Sequence, residues 1–191
     1  MSRSLAKSTT VVGGMTLTSR VMGFLRDIVF ARFFGAGAGM DVFVVAFQIP
    51  NFLRRLFGEG AFSQAFVPVL SEYQDQRSHE EVQALADRVA GTLGLILMII
   101  TVIGIVASPV LIFLFAPGFS GEEDKFALAA GMLRLTFPYL LFISLVAFAG
   151  GILNTFGRFA VPAFTPVLLN VVLIASVFLI APRMEQPVYG L

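Results

Sequence analysis

Eight charged residues interrupt two apolar stretches near the start of the chain. They are Arg20, Arg26, Asp27, Arg32, Asp41, Arg54, Arg55 and Glu59. A charged side chain near the centre of a bilayer costs at least about 2.5–3.5 kcal/mol, so their presence indicates a polar cavity between helices. Arginines outnumber the carboxylates, and their planar guanidinium groups match phosphate oxygens. The natural ligand of such a cavity is therefore a phosphate or a diphosphate.

The spacing indicates which of these side chains can face the same way. On a helix, Arg20 and Asp27 lie within about 20° of each other, whereas Arg26 points about 120° away from Arg20. Pro50 removes a backbone hydrogen bond from the second stretch and predicts a kink there. If that helix is continuous, one stripe holds four polar residues, namely Asp41, Gln48, Arg55 and Glu59.

Some of these charges also have purely structural interpretations. Arg55 and Glu59 have the spacing of an ion pair on one helix. Asp41 would begin the second helix, where the helix dipole favours a carboxylate. Arg32 lies near a glycine-rich turn and could extend its charge to the membrane surface. The strongest candidates for anion binding are then Arg20, Arg26 and Arg54. Spacing alone leaves open whether Arg54 or Arg55 faces the cavity.

The residue types give little support to bond-making chemistry. The chain has no cysteine, which excludes thiolate nucleophiles and zinc–thiolate sites. His79 is the single histidine, and the acidic run at 122–124 lacks the spacing of a calcium loop. A lone Asp27 is not the paired acidic cluster of magnesium–diphosphate enzymes. We therefore predict no catalytic residue, no metal site and no cofactor.

Composition places the chain in a membrane. Of its 191 residues 57% are hydrophobic and 13% are charged, and the mean hydropathy is +0.88. Soluble domains carry about 25% charged residues. The N-terminal residues include Arg3 and Lys7 but no long apolar core with a cleavage site, so we expect no cleavable signal peptide.

Five membrane-spanning helices are predicted, since a span needs about 20 apolar residues. The fold class is an all-α, polytopic integral membrane bundle, treated as one N-terminal domain over 1–191. The first two helices are weaker by hydropathy, and the alternative is a pair of amphipathic helices lying on the surface. Bends are expected at Pro109 and Pro138. Residues 71–88 are expected to form a polar loop, in which Glu80–Arg88 could form a surface helix turn. The five ranges are 8–34, 40–70, 89–117, 133–154 and 161–182.

Lysine and arginine in the short connections predict the orientation. Five alternating helices place the N-terminus and the loops at 71–88 and 154–160 on one side. That side holds Arg3, Lys7, Arg77, Arg88 and Arg158, and the other holds Lys125 and Arg183. The positive-inside rule makes the first side, and with it the N-terminus, cytoplasmic.

Several runs resemble the MurJ (MviN) lipid II flippase family. The longest is Pro50–Pro68, with the letters PNFLRRLFGEGAFSQAFVP. Thr18–Asp27 resembles the start of the family, and shorter matches follow along essentially the whole chain. These are Phe34–Gly37, Asp41–Phe43, Ala116–Phe119, Thr136–Tyr139, Asn154–Thr155 and Pro162–Phe164.

The resemblance implies a transporter of the multidrug/oligosaccharidyl-lipid/polysaccharide exporter superfamily, not an enzyme. It implies a bacterial inner-membrane protein that flips lipid II, the undecaprenyl-diphosphate-linked peptidoglycan precursor, to the periplasmic leaflet by alternating access. The partners it implies are lipid II, membrane lipid and cell-wall synthesis proteins, and no nucleic acid. The substrate-binding residues carried over are Arg20, Arg26, Arg54, Asp27, Asp41 and Glu59.

One departure from the family is the number of helices. The family's chains have many more than the five predicted here, so we expect this chain to be the N-terminal part of a transporter whose C-terminal half is missing. A homodimer is a less favoured expectation. The rival functions are a related exporter of other lipid-linked oligosaccharides or drugs, a membrane enzyme acting on polyprenyl diphosphate, and a structural scaffold.

Overall fold

A computed structural model describes residues 3–35, 37–55, 61–184 and 187–190. Throughout these ranges the regular structure is helical and no strand occurs, which confirms the all-α fold class. Short 3₁₀ turns occur at Pro117–Gly121, Ala181–Arg183 and Pro187–Gly190. The α-helices of the described part, in chain order, are α1 (Arg3–Phe34), α2 (Ala38–Arg54), α3 (Ala61–Gln76), α4 (His79–Val106), α5 (Ser108–Phe115), α6 (Glu123–Thr155) and α7 (Ala160–Leu179).

Three helical segments are long and apolar enough to cross a membrane. They are His79–Val106, Glu123–Thr155 and Ala160–Arg183. They overlap the third, fourth and fifth predicted spans, and they make the chain a multi-pass membrane protein. The helix α1 has 32 residues, which is about 48 Å at 1.5 Å per residue, but its charges lower its hydropathy.

The prediction of one helix over 40–70 lies partly outside the described residues, which omit 56–60. On either side of that gap, α2 covers Ala38–Arg54, Arg55 has π-helical geometry, and α3 begins at Ala61. Glu59 lies outside the described residues, and so does its predicted pairing with Arg55. The polar stripe that a continuous helix would form therefore stays a prediction.

The polar loop predicted at 71–88 is mostly helical, and the helical turn considered at Glu80–Arg88 is part of α4. The helix α3 continues to Gln76, and α4 begins at His79. Ser78 caps α4 by accepting a hydrogen bond from the Glu81 backbone N–H at 3.3 Å, while the Glu81 carboxylate accepts one from the Ser78 backbone N–H at 3.2 Å. This capping box satisfies two donors at the start of the helix. Most of the polar stretch 71–88 therefore belongs to the C-terminal end of α3 and the N-terminal part of α4.

The third predicted helix, 89–117, is divided at Ala107. The helix α4 ends at Val106, and α5 begins at Ser108 with Pro109 in its first turn. Proline is tolerated there because the first helical N–H groups have no partner within the helix. Pro109 therefore begins a short helix and does not bend a long one, whereas Pro138 lies inside α6 as predicted. The helix α6 also begins at Glu123, well before the predicted 133.

The chain forms two compact units. Unit 1 comprises Met1–Asp41 and Phe156–Leu191, and unit 2 comprises Val42–Thr155. In unit 1, α1 packs along α7. In unit 2, α6 packs against α3, α4 and α5. The core of unit 2 consists of fully buried apolar side chains, among them Leu70, Leu97, Ile112, Leu133, Phe137 and Leu140.

Candidate functional site

Arg26 belongs to a polar cluster inside unit 1. Its Nε and Nη2 donate to one carboxylate oxygen of Asp27 at 3.0 and 2.7 Å, and its Nη1 donates to Asn170 Oδ1 at 3.1 Å. Its guanidinium carbon lies 5.9 Å from the centre of the Phe30 ring. The Arg26 side chain is 28% exposed and that of Asp27 is 64% exposed. The guanidinium is thus held in a defined orientation while part of its surface faces outward.

Asn170 connects α7 to two points on α1. It is only 6% exposed, and its Nδ2 donates to the Ser19 carbonyl oxygen at 3.3 Å. A Cβ on Gly23 would lie 3.7 Å from the same nitrogen, an ordinary van der Waals distance, so α1 passes close to the amide at this position. Polar side chains in membrane helices face partner helices and bond across to them. Asn170 therefore orients the guanidinium of Arg26.

The sequence analysis missed Asn170, although a signal for it exists. Asn170 is an amide in the middle of a candidate span whose mean hydropathy is 2.4. A polar residue in such a segment is expected to face protein and not lipid. Its partners lie 144 and 151 positions away in the chain, so spacing on one helix could not identify them.

Arg20 and Asp27 are both exposed on α1, as expected for residues on one face. Within the described ranges, no ion pair involves Arg20. The α1 helix thus presents the free guanidinium of Arg20 along with the oriented one of Arg26, against a single carboxylate. Arg32, in the last turn of α1, is exposed. The structure brings Arg26 and Asp27 into contact and leaves Arg20 accessible for an anion.

The remaining predicted site residues lie in or beyond α2. Asp41 is exposed in its first turn, where the helix dipole favours a carboxylate. Arg54 is half-buried in the last turn, and its Nε donates to Asn51 Oδ1 at 3.0 Å. The following residue, Arg55, is exposed. Arg54 is therefore the more constrained of these two arginines, and Glu59 is outside the described residues.

Unit 2 contains a mainly apolar cavity of about 200 Å³ beside α2. Gln48, a member of the predicted polar stripe, contributes an amide to its lining. The other lining residues are Val45, Ile49, Phe52 and Phe115. Across the described ranges, no three histidine, aspartate or glutamate side chains are grouped so that they could hold a metal ion. The polar groups described here can bind and orient an anion by hydrogen bonds and charge.

A further arginine, Arg134 of α6, escaped the sequence analysis. It is exposed, and its Nε donates to the Ser108 hydroxyl oxygen at 3.0 Å. Ser108 is fully buried at the start of α5. The missed signal was a lone cation well inside an apolar helix.

Long apolar helices packed into two compact helical units define the class: the chain has part of the fold of an all-helical membrane transporter. The family model described as "Lipid II flippase MurJ" matches residues 30–191, so the chain belongs to the MurJ family. This bears out the resemblance found in the sequence.

Relatives and a solved structure agree with the family assignment. The "Probable lipid II flippase MurJ" of Vibrio cholerae is 50% identical over 198 residues, covering 100% of this chain and 38% of the relative. The "Lipid II flippase MurJ" of Burkholderia cenocepacia is 46% identical, covering 98% and 36%. A solved "Lipid II flippase MurJ, inward closed conformation" superposes with a TM-score of 0.78 at 34% identity, covering 95% of this chain and 38% of that one. The chain thus spans less than two fifths of the length of these proteins.

Proposed function

We propose that this chain forms the N-terminal part of a lipid II flippase. The activity is movement of the undecaprenyl-diphosphate-linked precursor from the cytoplasmic to the periplasmic leaflet by alternating access. The observation that carries the proposal is the pair of arginines on α1, one oriented by Asp27 and Asn170 and one exposed. The relatives from Vibrio cholerae and Burkholderia cenocepacia are named as a probable lipid II flippase and a lipid II flippase, which supports the choice of substrate.

The proposed mechanism is electrostatic and involves no covalent step. Arg20 and Arg26 of α1 each offer a guanidinium to the diphosphate, and charge-assisted hydrogen bonds to phosphate are among the strongest in proteins. Arg54 of α2 is a further proposed binding residue, whose role rests on the resemblance. Asp27 and Asn170 hold Arg26, so less orientational freedom is lost when the ligand binds. Asp41 and Glu59 are the proposed acidic companions. Because no bond is made or broken, the protein is a transporter and not an enzyme.

We place the protein in the bacterial inner membrane with its N-terminus in the cytoplasm. The basis is the excess of lysine and arginine in the connections predicted to lie on the N-terminal side. Lipid II and bilayer lipid are the proposed partners, and cell-wall synthesis proteins stay a prediction from the resemblance. No role with nucleic acid is proposed.

Complementation tests this function. The chain would replace the matching N-terminal portion of the Vibrio cholerae relative, and the chimera would be expressed in a strain depleted of its own flippase. We expect growth with the unmodified chimera and loss of growth with Arg20→Ala, Arg26→Ala or Arg54→Ala. Arg77→Ala is the matched control, since Arg77 is exposed at the α3–α4 connection and pairs with Glu81 at 3.7 Å. Growth with all three variants at normal protein levels would refute the anion-binding role.

Reconstitution separates the rival functions. Proteoliposomes containing the chimera should move lipid II between leaflets and leave its diphosphate intact. Transport of other lipid-linked oligosaccharides without lipid II would favour the related exporter. Release of phosphate from lipid II would establish an enzyme instead.

A further inference from the structure

Arg134 lies at one end of a membrane-length segment of α6. The rest of the helix, Leu135–Thr155, carries no charged residue and extends about 31 Å at 1.5 Å per residue. The hydrocarbon core of a bilayer is about 30 Å thick. A span that begins directly after Arg134 therefore places its guanidinium near the boundary between acyl chains and headgroups.

The helix α4 gives a second, independent estimate of this depth. After Arg88, the uncharged segment Val89–Val106 extends about 27 Å and ends directly before the break at Ala107. Ser108, which accepts the hydrogen bond from Arg134, is the first residue beyond that break. The Arg134–Ser108 contact thus lies about one hydrocarbon thickness from Val89, the start of the uncharged segment of α4. It lies about as far from Thr155, the end of α6.

No carboxylate among the described residues neutralises the charge of Arg134. No ion pair of Arg134 occurs among the residues that the structure describes, and its one recorded acceptor is the neutral hydroxyl of Ser108. That bond uses Nε and fixes the plane of the guanidinium, which leaves Nη1 and Nη2 as a fork. This fork matches two oxygens of a phosphate group.

The surface around this contact is apolar. Leu135, directly after Arg134, is 61% exposed, and Val106 and Val110, on either side of the break, are 76% and 60% exposed. Exposed aliphatic side chains on membrane-spanning helices suit acyl chains. A cation among them gains most from an anion that is itself attached to acyl chains, because water and soluble ions have poor access to such a surface.

We propose that Arg134, oriented by Ser108, binds the phosphate of an anionic glycerophospholipid at the break between α4 and α5. The acyl chains of this lipid lie along the exposed apolar positions of α4, α5 and α6. None of the arginines proposed to bind the diphosphate is part of this site. It concerns a lipid of the surrounding bilayer and not the transported substrate.

The absence of cysteine from the chain allows a site-specific test. Val110→Cys would carry a fluorophore, and the labelled chain would be reconstituted in phosphatidylcholine vesicles containing brominated phosphatidylglycerol or brominated phosphatidylcholine. Bromine quenches at short range. We expect several-fold stronger quenching by the brominated phosphatidylglycerol. Arg134→Gln should remove this preference, and Ser108→Ala should weaken it. Arg158→Gln, at an exposed arginine of unit 1, should leave it unchanged.

Two further arms keep the proposal falsifiable. Arg134→Lys retains the charge but not the fork, so it should lower the preference without abolishing it, and circular dichroism would verify that the helices are intact. Added inorganic phosphate should not reduce the quenching difference. The proposal is overturned by equal quenching from both lipids, by an unchanged preference in Arg134→Gln, or by displacement with inorganic phosphate, which would indicate a water-facing site.

Discussion

At the scale of single residues, Arg26 is the proposed binding residue, and Asp27 and Asn170 fix the orientation of its guanidinium. Asp27 takes two donors of the guanidinium and Asn170 takes a third, so the direction of the charge is set before any ligand arrives. The sequence indicated Arg26 and Asp27 as functional candidates from residue type alone. It could not indicate that the amide of α7 positions them, because that contact depends on how two helices meet.

Replacing Asn170 should weaken the pairing of α1 with α7. Asn170→Ala removes the acceptor of Arg26 and the donor to the Ser19 carbonyl, and interhelical hydrogen bonds in membranes contribute about 1–2 kcal/mol in model peptides. We expect the free energy of unfolding of the purified chain in detergent to fall by about that amount. Val172→Ala, at an exposed position of the same helix, should change it little. Equal stability of Asn170→Ala and the unmodified chain would contradict this role.

At the scale of elements, α4 and α6 pack through a glycine that holds an aromatic ring. A Cβ built on Gly104 collides with the ring of Phe137, which is itself buried. The close approach of the two helices at this point therefore requires glycine. A glycine within a helix indicates from the sequence that another helix could pack closely there. The sequence does not tell which glycine does so, because a Cβ on Gly91 of the same helix would meet no neighbouring atom within 4 Å.

The two glycines predict opposite effects of the same substitution. Gly104→Ala should destabilise the chain by about 1–3 kcal/mol, the usual cost of overpacking, because the buried Phe137 has little room to move. Gly91→Ala should stabilise it by up to about 1 kcal/mol through helix propensity. Thermal unfolding in detergent, followed by circular dichroism, compares the two. Similar melting temperatures for both variants would argue against the packing of α4 on α6.

At the scale of the whole molecule, α4 must separate two aqueous faces if it spans the bilayer. Its first turn holds acidic residues, and the connection after α5 is also polar. The arginine and lysine distribution predicts that the first end is cytoplasmic. The structure divides the chain into two compact units, whereas the sequence predicted one bundle over 1–191. The treatment of 1–191 as a single domain stays a prediction.

Single cysteines test the orientation directly. Glu80→Cys lies at the exposed start of α4, and Glu122→Cys lies at the exposed connection before α6. In spheroplasts, a membrane-impermeant thiol reagent should label Glu122→Cys at once and Glu80→Cys only after lysis. The reverse pattern would place the N-terminus outside. Because the chain has no cysteine of its own, the background in this experiment is low.

The sequence by itself determined the membrane class, the three strongest spans, the excess of arginine and the family. The first three follow from residue types and from hydropathy along the chain, whereas the family follows from the resemblance of runs such as Pro50–Pro68. Local chemistry also predicts the cap of α4, because Ser78 and Glu81 have the spacing of a capping box, although it was overlooked.

Only the tertiary structure decided which groups meet. It paired Arg26 with Asn170 and Arg134 with Ser108, and it placed Phe137 over Gly104. Helical periodicity tells which way a side chain points from its own axis. The identity of the opposing helix depends on the packing of whole faces, which is a property of many residues at once. For this reason the charges could be recognised in the sequence, but their partners could not.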